Sequence, residues 1–200
     1  MILHFIRNLD KIPFGSSEAT AILKKTIPQL LPKGRWLPSL NEMDEKKLAR
    51  AFFFHEPFKT LFFDPENKIL IVLGSIDHLH ILFDGDYQRI KPFLTTLHAN
   101  LNFAFDPNFG FLTTKLETTG TGLKVKFFHG MLFSQKPDNI EAIPFEGGYI
   151  YQNTYSIGLL ESTLVEQLKN LYSLLQTLFE QMQETGSSVA LSIFERALEK

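Results

Sequence analysis

Apolar and polar positions change their spacing several times along the 200 residues, and each spacing implies a different element. Lys68-Ile-Leu-Ile-Val-Leu73 is an unbroken apolar run, the pattern of a strand covered on both faces. His78-Leu-His-Ile-Leu-Phe83 follows across a turn at Gly74 and Ser75 and predicts a second strand. Gly122 to Phe133 alternates in part, with Leu123, Val125 and Phe127 against Lys124 and Lys126, which predicts a third. From Ser162 the period becomes helical. Leu164, Leu168, Leu171, Leu175, Leu178 and Met182 recur at three- and four-residue steps, with Val165, Tyr172 and Phe179 widening the stripe. Thr163-Leu-Val-Glu166 fits a capping box for this long amphipathic helix, and Gly186 suits its C′ position.

Shorter signals fill the intervals. Ser16-Ser17-Glu18 reads as an N-cap before Ala21, Ile22 and Leu23, with Pro28 expected to kink or end that helix. Pro32 to Pro38 reads as an exposed connection, and a short helix is predicted over Glu45 to Phe53. Asp84-Gly85-Asp86 can cap a helix running to about Asn100. A last short helix is predicted over Val189 to Leu198. Strands interleaved with helices make the fold class α+β, in one domain over residues 1–200, with residues 187–200 as a short helical appendage.

Composition narrows the function classes. Twenty phenylalanines against one tryptophan read as core material. A net charge of −2 and a pI near 6.3 give no electrostatic footprint for nucleic acid or an anionic membrane. The absence of cysteine excludes disulfides, thiolate metal sites and a cysteine nucleophile, and fits a reducing compartment. No stretch reaches the ~20 apolar residues of a membrane span, and Met1 to Arg7 is too short for a signal peptide. A soluble cytoplasmic protein is the expectation.

Candidate chemistry is sparse. His78 and His80 fall on one strand face, but no further ligand at metal spacing accompanies them, so backbone or carboxylate partners are expected instead. Thr118-Thr-Gly-Thr-Gly122 can cradle a phosphate through backbone N–H groups, with a structural loop the favoured alternative. Lys124 and Lys126 share a strand face that can retain weak anion affinity, with a solvated face the favoured alternative. No metal site is assigned, and the six histidines suggest no Ser/His/Asp arrangement.

Several segments occur in the order and rough spacing of a known catalytic domain. Arg7-Asn-Leu9 with Pro13-Phe14 is similar to the end of an S-R-I-R-L-A-R-N-L…P-F opening, and Asp77-His-Leu79 to N-E-E-D-H-L-R. Phe105-Asp106 with Phe109-Gly-Phe-Leu-Thr113 resembles F-D…G-Y-L-T, Gly120-Thr-Gly-Leu123 resembles G-T-G-L-R, and Gln152-Asn153 with Ser156-Ile-Gly158 resembles S-N-Q-L-T-L-G. Together these resemble the phosphagen (ATP:guanidino) kinase catalytic domain, in the form found in bacterial protein arginine kinases but without the further C-terminal domain. The resemblance implies an antiparallel sheet flanked by helices.

Set against that family, the chemistry is degenerate. Phosphoryl transfer rests on positioning and charge neutralisation, and the family clamps the phosphates with arginines. The chain has five arginines: Arg7, Arg35, Arg50, Arg89 and Arg196. Aligned on the motifs, the family's clamp arginines fall on Ile2, His4, His80 and Lys124. A further one lies in a loop that is shortened to Ile143–Gly148. The two guanidino-site glutamates fall on Ser75 and Ile76, and the family's cysteine falls on Lys115. Asp77, His78, Gly120 and Gly122 are retained, and Glu146 is the one candidate substitute for a lost loop glutamate. Each lost donor to developing charge costs ~3 kcal/mol, or 10²–10³ in rate. The resemblance therefore implies a pseudokinase with no catalytic residues and no cofactor, acting as a protein-binding module. Its implied partners are a kinase activator, the active arginine kinase or Clp machinery, with self-association through the long helix also open. The alternative is a divergent active guanidino or protein-arginine kinase using Mg-ATP.

Overall fold

In a computed structural model, residues 1–37, 42–133 and 136–185 are described. Ten strands and four helices follow in the order β1 (Ile2–Arg7), α1 (Ser17–Leu30), β2 (Arg35–Trp36), α2 (Glu42–Ala51), β3 (Thr60–Asp64), β4 (Ile69–Leu73), β5 (Leu79–Asp84), α3 (Tyr87–Asn100), β6 (Phe105–Asp106), β7 (Gly110–Phe111), β8 (Leu123–His129), β9 (Ile140–Phe145), β10 (Gly148–Asn153) and α4 (Glu161–Thr185). Eight strands form one antiparallel sheet in the order β2-β3-β4-β5-β1-β8-β10-β9, and β6 and β7 form a separate ribbon.

The sheet is covered unequally, and that asymmetry creates the site. On one face α1, α3 and α4 bury Leu23, Ile27, Leu94, Leu97, Leu168 and Leu175 against Leu3, Phe5, Leu123, Val125 and Phe127 of the strands. On the other face α2 and the segment after it cover only the β3-β4-β5-β1 half, where Ala49, Phe52 and Phe54 pack on Leu61, Leu70, Val72, Leu82 and Ile2. The same face of β8, β10 and β9 has no helix over it among the described residues. Side chains alternate along a strand, so β8 turns Leu123, Val125 and Phe127 to the three-helix core and Lys124, Lys126 and Phe128 to the open half.

Several expectations are refined by packing. Pro28 does not end α1, which runs two residues further because Leu23 and Ile27 are fully buried and Leu31 N–H closes on the Ile27 carbonyl. The connection at Arg35–Trp36 is an edge strand paired with β3. The α4 helix begins at Glu161, ahead of the proposed capping box, with Leu164 N–H bonded to the Leu160 carbonyl. Its leucine stripe packs on β8 and β10. Gly186 and the helix predicted over Val189 to Leu198 lie outside the described residues, as does Arg196. Phenylalanine is not all core, since Phe14, Phe105 and Phe109 are more than half exposed.

Candidate functional site

The half-covered face holds a cleft of about 390 Å³. Its floor is the β1-β8-β10-β9 part of the sheet, through His4, Lys124, Lys126, Gln152 and Glu141. One wall is the segment after α2, with Phe53, Phe54, His55 and Glu56, and another is the turn before β8, with Lys115 and Glu117. The β9–β10 hairpin closes the last side with Ile143 and Phe145. A larger hollow of about 470 Å³ lies between the β6–β7 ribbon and the start of α4. It is lined mainly by Phe105, Phe109, Phe111, Leu159 and Leu160. Its two titratable groups, Tyr87 and Glu161, are bonded to each other, and Glu161 to the buried Arg7, so the cleft is the chemically richer site.

Each cation of the cleft is already engaged. Lys115 Nζ lies 2.8 Å from Glu56 Oε1 and Lys124 Nζ 3.4 Å from Glu117 Oε1. Lys126 Nζ donates to the Phe53 carbonyl at 3.0 Å. At the rim Arg50 pairs with Glu146. Burial pulls the Lys126 ammonium down to about 7, with Lys124 adding to the effect. Burial raises the Glu56 carboxyl, but Lys115, His80 and the Ser75 hydroxyl outweigh it and hold Glu56 below the usual carboxylate range. The lysine face expected to be solvated is therefore the cleft floor: Lys126 is 7% exposed because the neighbouring strands and the Phe53–Phe54 wall close over it.

The positions picked out by motif separate into two groups. His4 lies in the floor, and its Nε2 meets His80 Nδ1 at 3.0 Å. Burial drives both imidazoles below their ordinary range, His80 to about 4. Lys115 and Lys124 also line the cleft. Ser75 reaches it through its hydroxyl, which donates to Glu56 Oε2 at 3.2 Å. Ile2 instead lies in the core beneath α2, and Ile76 is 66% exposed.

The retained motif residues form a clasp. Buried Asp77 accepts from Asn8 Nδ2 at 2.6 Å, Thr114 N–H at 2.9 Å and Thr114 Oγ1 at 2.6 Å. Asn8 Oδ1 accepts from His78 N–H at 2.7 Å. His78 Nδ1 accepts from Leu9 N–H, so its Nε2–H donates to the Pro13 carbonyl at 2.7 Å. With both nitrogens on backbone, the metal pairing of His78 with His80 has no free ligand on one side. Gly120 and Gly122 take φ of +116° and +61°, and a Cβ there would meet backbone of Ser156 and Ile157, or of Ile6, within 3 Å. The N–H groups of Thr118, Thr119 and Gly120 are bonded to carbonyls of Lys115, Leu116 and Phe111, so these three are not offered to a phosphate.

Two features escaped the motifs. Glu56 comes from an element with no motif, and only its position beside Ser75 and Lys115 brings it into the site. The Ile143–Gly148 segment, expected as a loop, is the tip of a hairpin, with Phe145 paired to Gly148 and a two-residue turn at Glu146-Gly147. Glu146 is at that tip, outside the cleft lining.

Comparison with known proteins agrees with this geometry. Residues 40–132 match the family model for the ATP:guanido phosphotransferase C-terminal catalytic domain. The protein-arginine kinase of Chlamydia pneumoniae is 31% identical over 140 residues, covering 53% of this chain and 39% of the relative. That of Syntrophomonas wolfei is 28% identical over 111 residues, covering 51% and 28%. The matches thus span two fifths or less of these relatives' length. A lombricine kinase crystal structure superposes with a TM-score of 0.70 at 16% identity, covering 94% of this chain and 67% of that one. The sheet and its helices have the fold of the guanidino kinases. In sequence, the chain is similar to the protein-arginine kinases.

Proposed function

We propose that the chain is a catalytically inactive relative of the protein-arginine kinases that works by binding other proteins. One observation carries this reading: no described arginine lines the cleft, and its lysines are bonded to Glu56, Glu117 and a backbone carbonyl. A triphosphate brings several negative charges and needs fixed, free cations around it. Here a phosphate would have to displace a carboxylate from Lys115 and another from Lys124, and His4 and His80 are held neutral by burial. Loss of several charge-stabilising donors, at ~3 kcal/mol each, leaves negligible transfer even without strict additivity. The retained Asp77 and glycine positions support the same view, because their contacts are structural.

By analogy with the relatives, the partners are a kinase activator, the active arginine kinase or Clp machinery in a bacterial cytoplasm; self-association is a further option. No described helix is long and apolar enough to cross a membrane. The near-neutral net charge argues against nucleic acid as partner.

The second reading, a divergent active kinase using Mg-ATP, is favoured by one contact. Glu56 hydrogen-bonds Ser75, one of the two positions where the family carries a guanidino-site glutamate, and so returns a carboxylate to that place from another element. The Lys115 ammonium that neutralises it weighs against a role as base. A radiolabelled ATP transfer assay with arginine and an arginine-rich protein decides between the two, clear transfer overturning the first. A ligand at 100 times its Kd adds about 2.7 kcal/mol of stability, so an unchanged melting temperature with Mg-ATP supports it.

A further inference from the structure

Lys126 is the residue of the cleft that neither reading uses. It sits on the cleft face of β8, two residues from Lys124 and in register with Gln152 of β10, and is 7% exposed. Its Nζ has one hydrogen bond, to the Phe53 carbonyl, and no described carboxylate lies within ion-pair distance of it. A buried ammonium without a counter-ion is costly, and the ordinary relief is loss of the proton. A neutral amine keeps the bond to Phe53 through one N–H and has its lone pair left over. Around it are the aromatic walls Phe53, Phe54 and Phe145 and an opening of about 390 Å³, room for a small organic molecule.

We propose that Lys126 is a nucleophilic amine, and that the cleft takes a small uncharged carbonyl compound which it binds as an imine. The Nζ lone pair adds to the carbonyl carbon, the oxygen gains the amine's proton to give a carbinolamine, and loss of water leaves the C=N bond. No oxidant or reductant enters. Desolvation beside another cation is how proteins make a lysine nucleophilic. The groups facing Lys126 come from five places, and two of them, His4 on β1 and His55 after α2, are imidazoles that burial and the cleft lysines push towards the neutral form. Lys124 on its own strand and Lys115 on the preceding turn favour the neutral amine, whereas Glu56 beyond α2 and Glu141 on β9 oppose it. Both carboxylates are engaged elsewhere, Glu56 by Lys115 and Glu141 by Gln152. An uncharged carbonyl suits the aromatic walls, since Lys124 is committed to Glu117.

The test is reductive trapping of the intact chain with benzaldehyde and cyanoborohydride, followed by peptide mapping of the 15 lysines. At pH 7 an ordinary lysine is neutral about once in a few thousand molecules, and an amine near 7 about half the time. Lower basicity reduces the reactivity of each neutral amine, so the expected labelling of Lys126 exceeds the median lysine by about tenfold or more. Its labelling levels off above about pH 8, while the others keep rising roughly tenfold per unit towards pH 10. Denaturing the chain in guanidinium removes the preference, and Lys126→Met removes the fastest site. Labelling of Lys126 no faster than the median, or rising with pH as the others do, overturns the proposal. ATP transfer plays no part in the readout, so this outcome is separate from that of the kinase assay.

Discussion

His4 and His80 hydrogen-bond each other across two neighbouring strands, Nε2 to Nδ1 at 3.0 Å, and each leaves its other nitrogen without a partner. Phe54 presents an edge contact to both rings. One arrangement meets most needs. His4 Nε2–H donates to His80 Nδ1, His80 Nε2–H turns towards Glu56 Oε2 but at 3.9 Å is too far to bond it, and the lone pair on His4 Nδ1 faces no donor. The bond itself needs only its acceptor ring to be neutral, but burial makes neutrality the requirement for both imidazoles.

That requirement predicts an acid-sensitive stability. In the unfolded chain both histidines titrate near 6.5, whereas the folded His80 does so at about 4 and His4 well below its ordinary range, burial being the main cause. Between those values the unfolded state binds protons that the folded state refuses. The stability associated with the pair is therefore complete above about pH 6.5 and falls as pH drops towards 4, by on the order of 3 kcal/mol for His80. Chemical denaturation at intervals from pH 7.5 to 4.5 measures it. The double variant His4→Leu, His80→Leu should fall less steeply over that window, and an identical slope would sink the account.

Lys126 predicts the opposite surgery. A folded amine near 7 against about 10.4 unfolded means that the fold is penalised wherever the unfolded lysine is charged and the folded one resists charging. The penalty is full below about pH 7 and disappears as pH approaches 10.4. Lys126→Met fills similar volume without that cost, so its melting temperature at pH 7 should exceed the parent's by several degrees, with the gain shrinking by pH 10. An equal gain at both pH values would mean that packing alone accounts for it.

How much of this was legible in the sequence depended on whether one element or several carried the signal. The buried strand at Ile69–Leu73, the helix capped by Asp86 and the stripe of α4 read correctly because each pattern is local. The central strand Ile2–Arg7 was visible only as part of a motif, since it is buried on both faces and interrupts its apolar run with His4 and Arg7. The hairpin of β9 and β10 was missed because Pro144 and Glu146-Gly147 read as loop. In the structure Pro144 sits on the sheet's edge strand, where its missing N–H costs nothing. In the site, the motif positions were readable one by one. The Glu56–Lys115 pair was not, because the residues lie 59 apart and meet only through the fold.

The hairpin tip gives a third prediction. Glu146 and Gly147 take φ of +38° and +83°, as a two-residue turn between right-twisted strands requires. A left-handed conformation costs a residue with a Cβ about 1–2 kcal/mol, and asparagine or glycine less. The ion pair of Glu146 with Arg50 joins two side chains that are both more than half exposed, so it offsets little. Glu146→Asn should therefore stabilise the fold by about 0.5–1 kcal/mol in denaturant titrations. A loss of stability would show that the Arg50 pair contributes more than exposed pairs do.

Arg7 gives the last. Its side chain is fully buried on the three-helix face, and the guanidinium makes four separate contacts. It donates to the carbonyls of Ile6 and Thr121 at 2.9 and 2.8 Å, to Glu161 Oε1 at 3.2 Å and to His98 Nε2 at 3.3 Å. It also stacks 3.7 Å above the Phe111 ring, which ties β1, the β6–β7 ribbon, α3 and the first turn of α4 to one group. Burial lowers it to about 10, so it stays charged at neutral pH. Arg7→Ala leaves two carbonyls unpaired and Glu161 without its cation, and should cost about 3–5 kcal/mol in denaturant unfolding. Arg7→Lys should recover only a minor part, because one ammonium cannot reproduce a planar fork reaching four acceptors and a ring. Near-complete rescue by lysine would mean that charge alone matters at this position and that the geometry described for the fork does not.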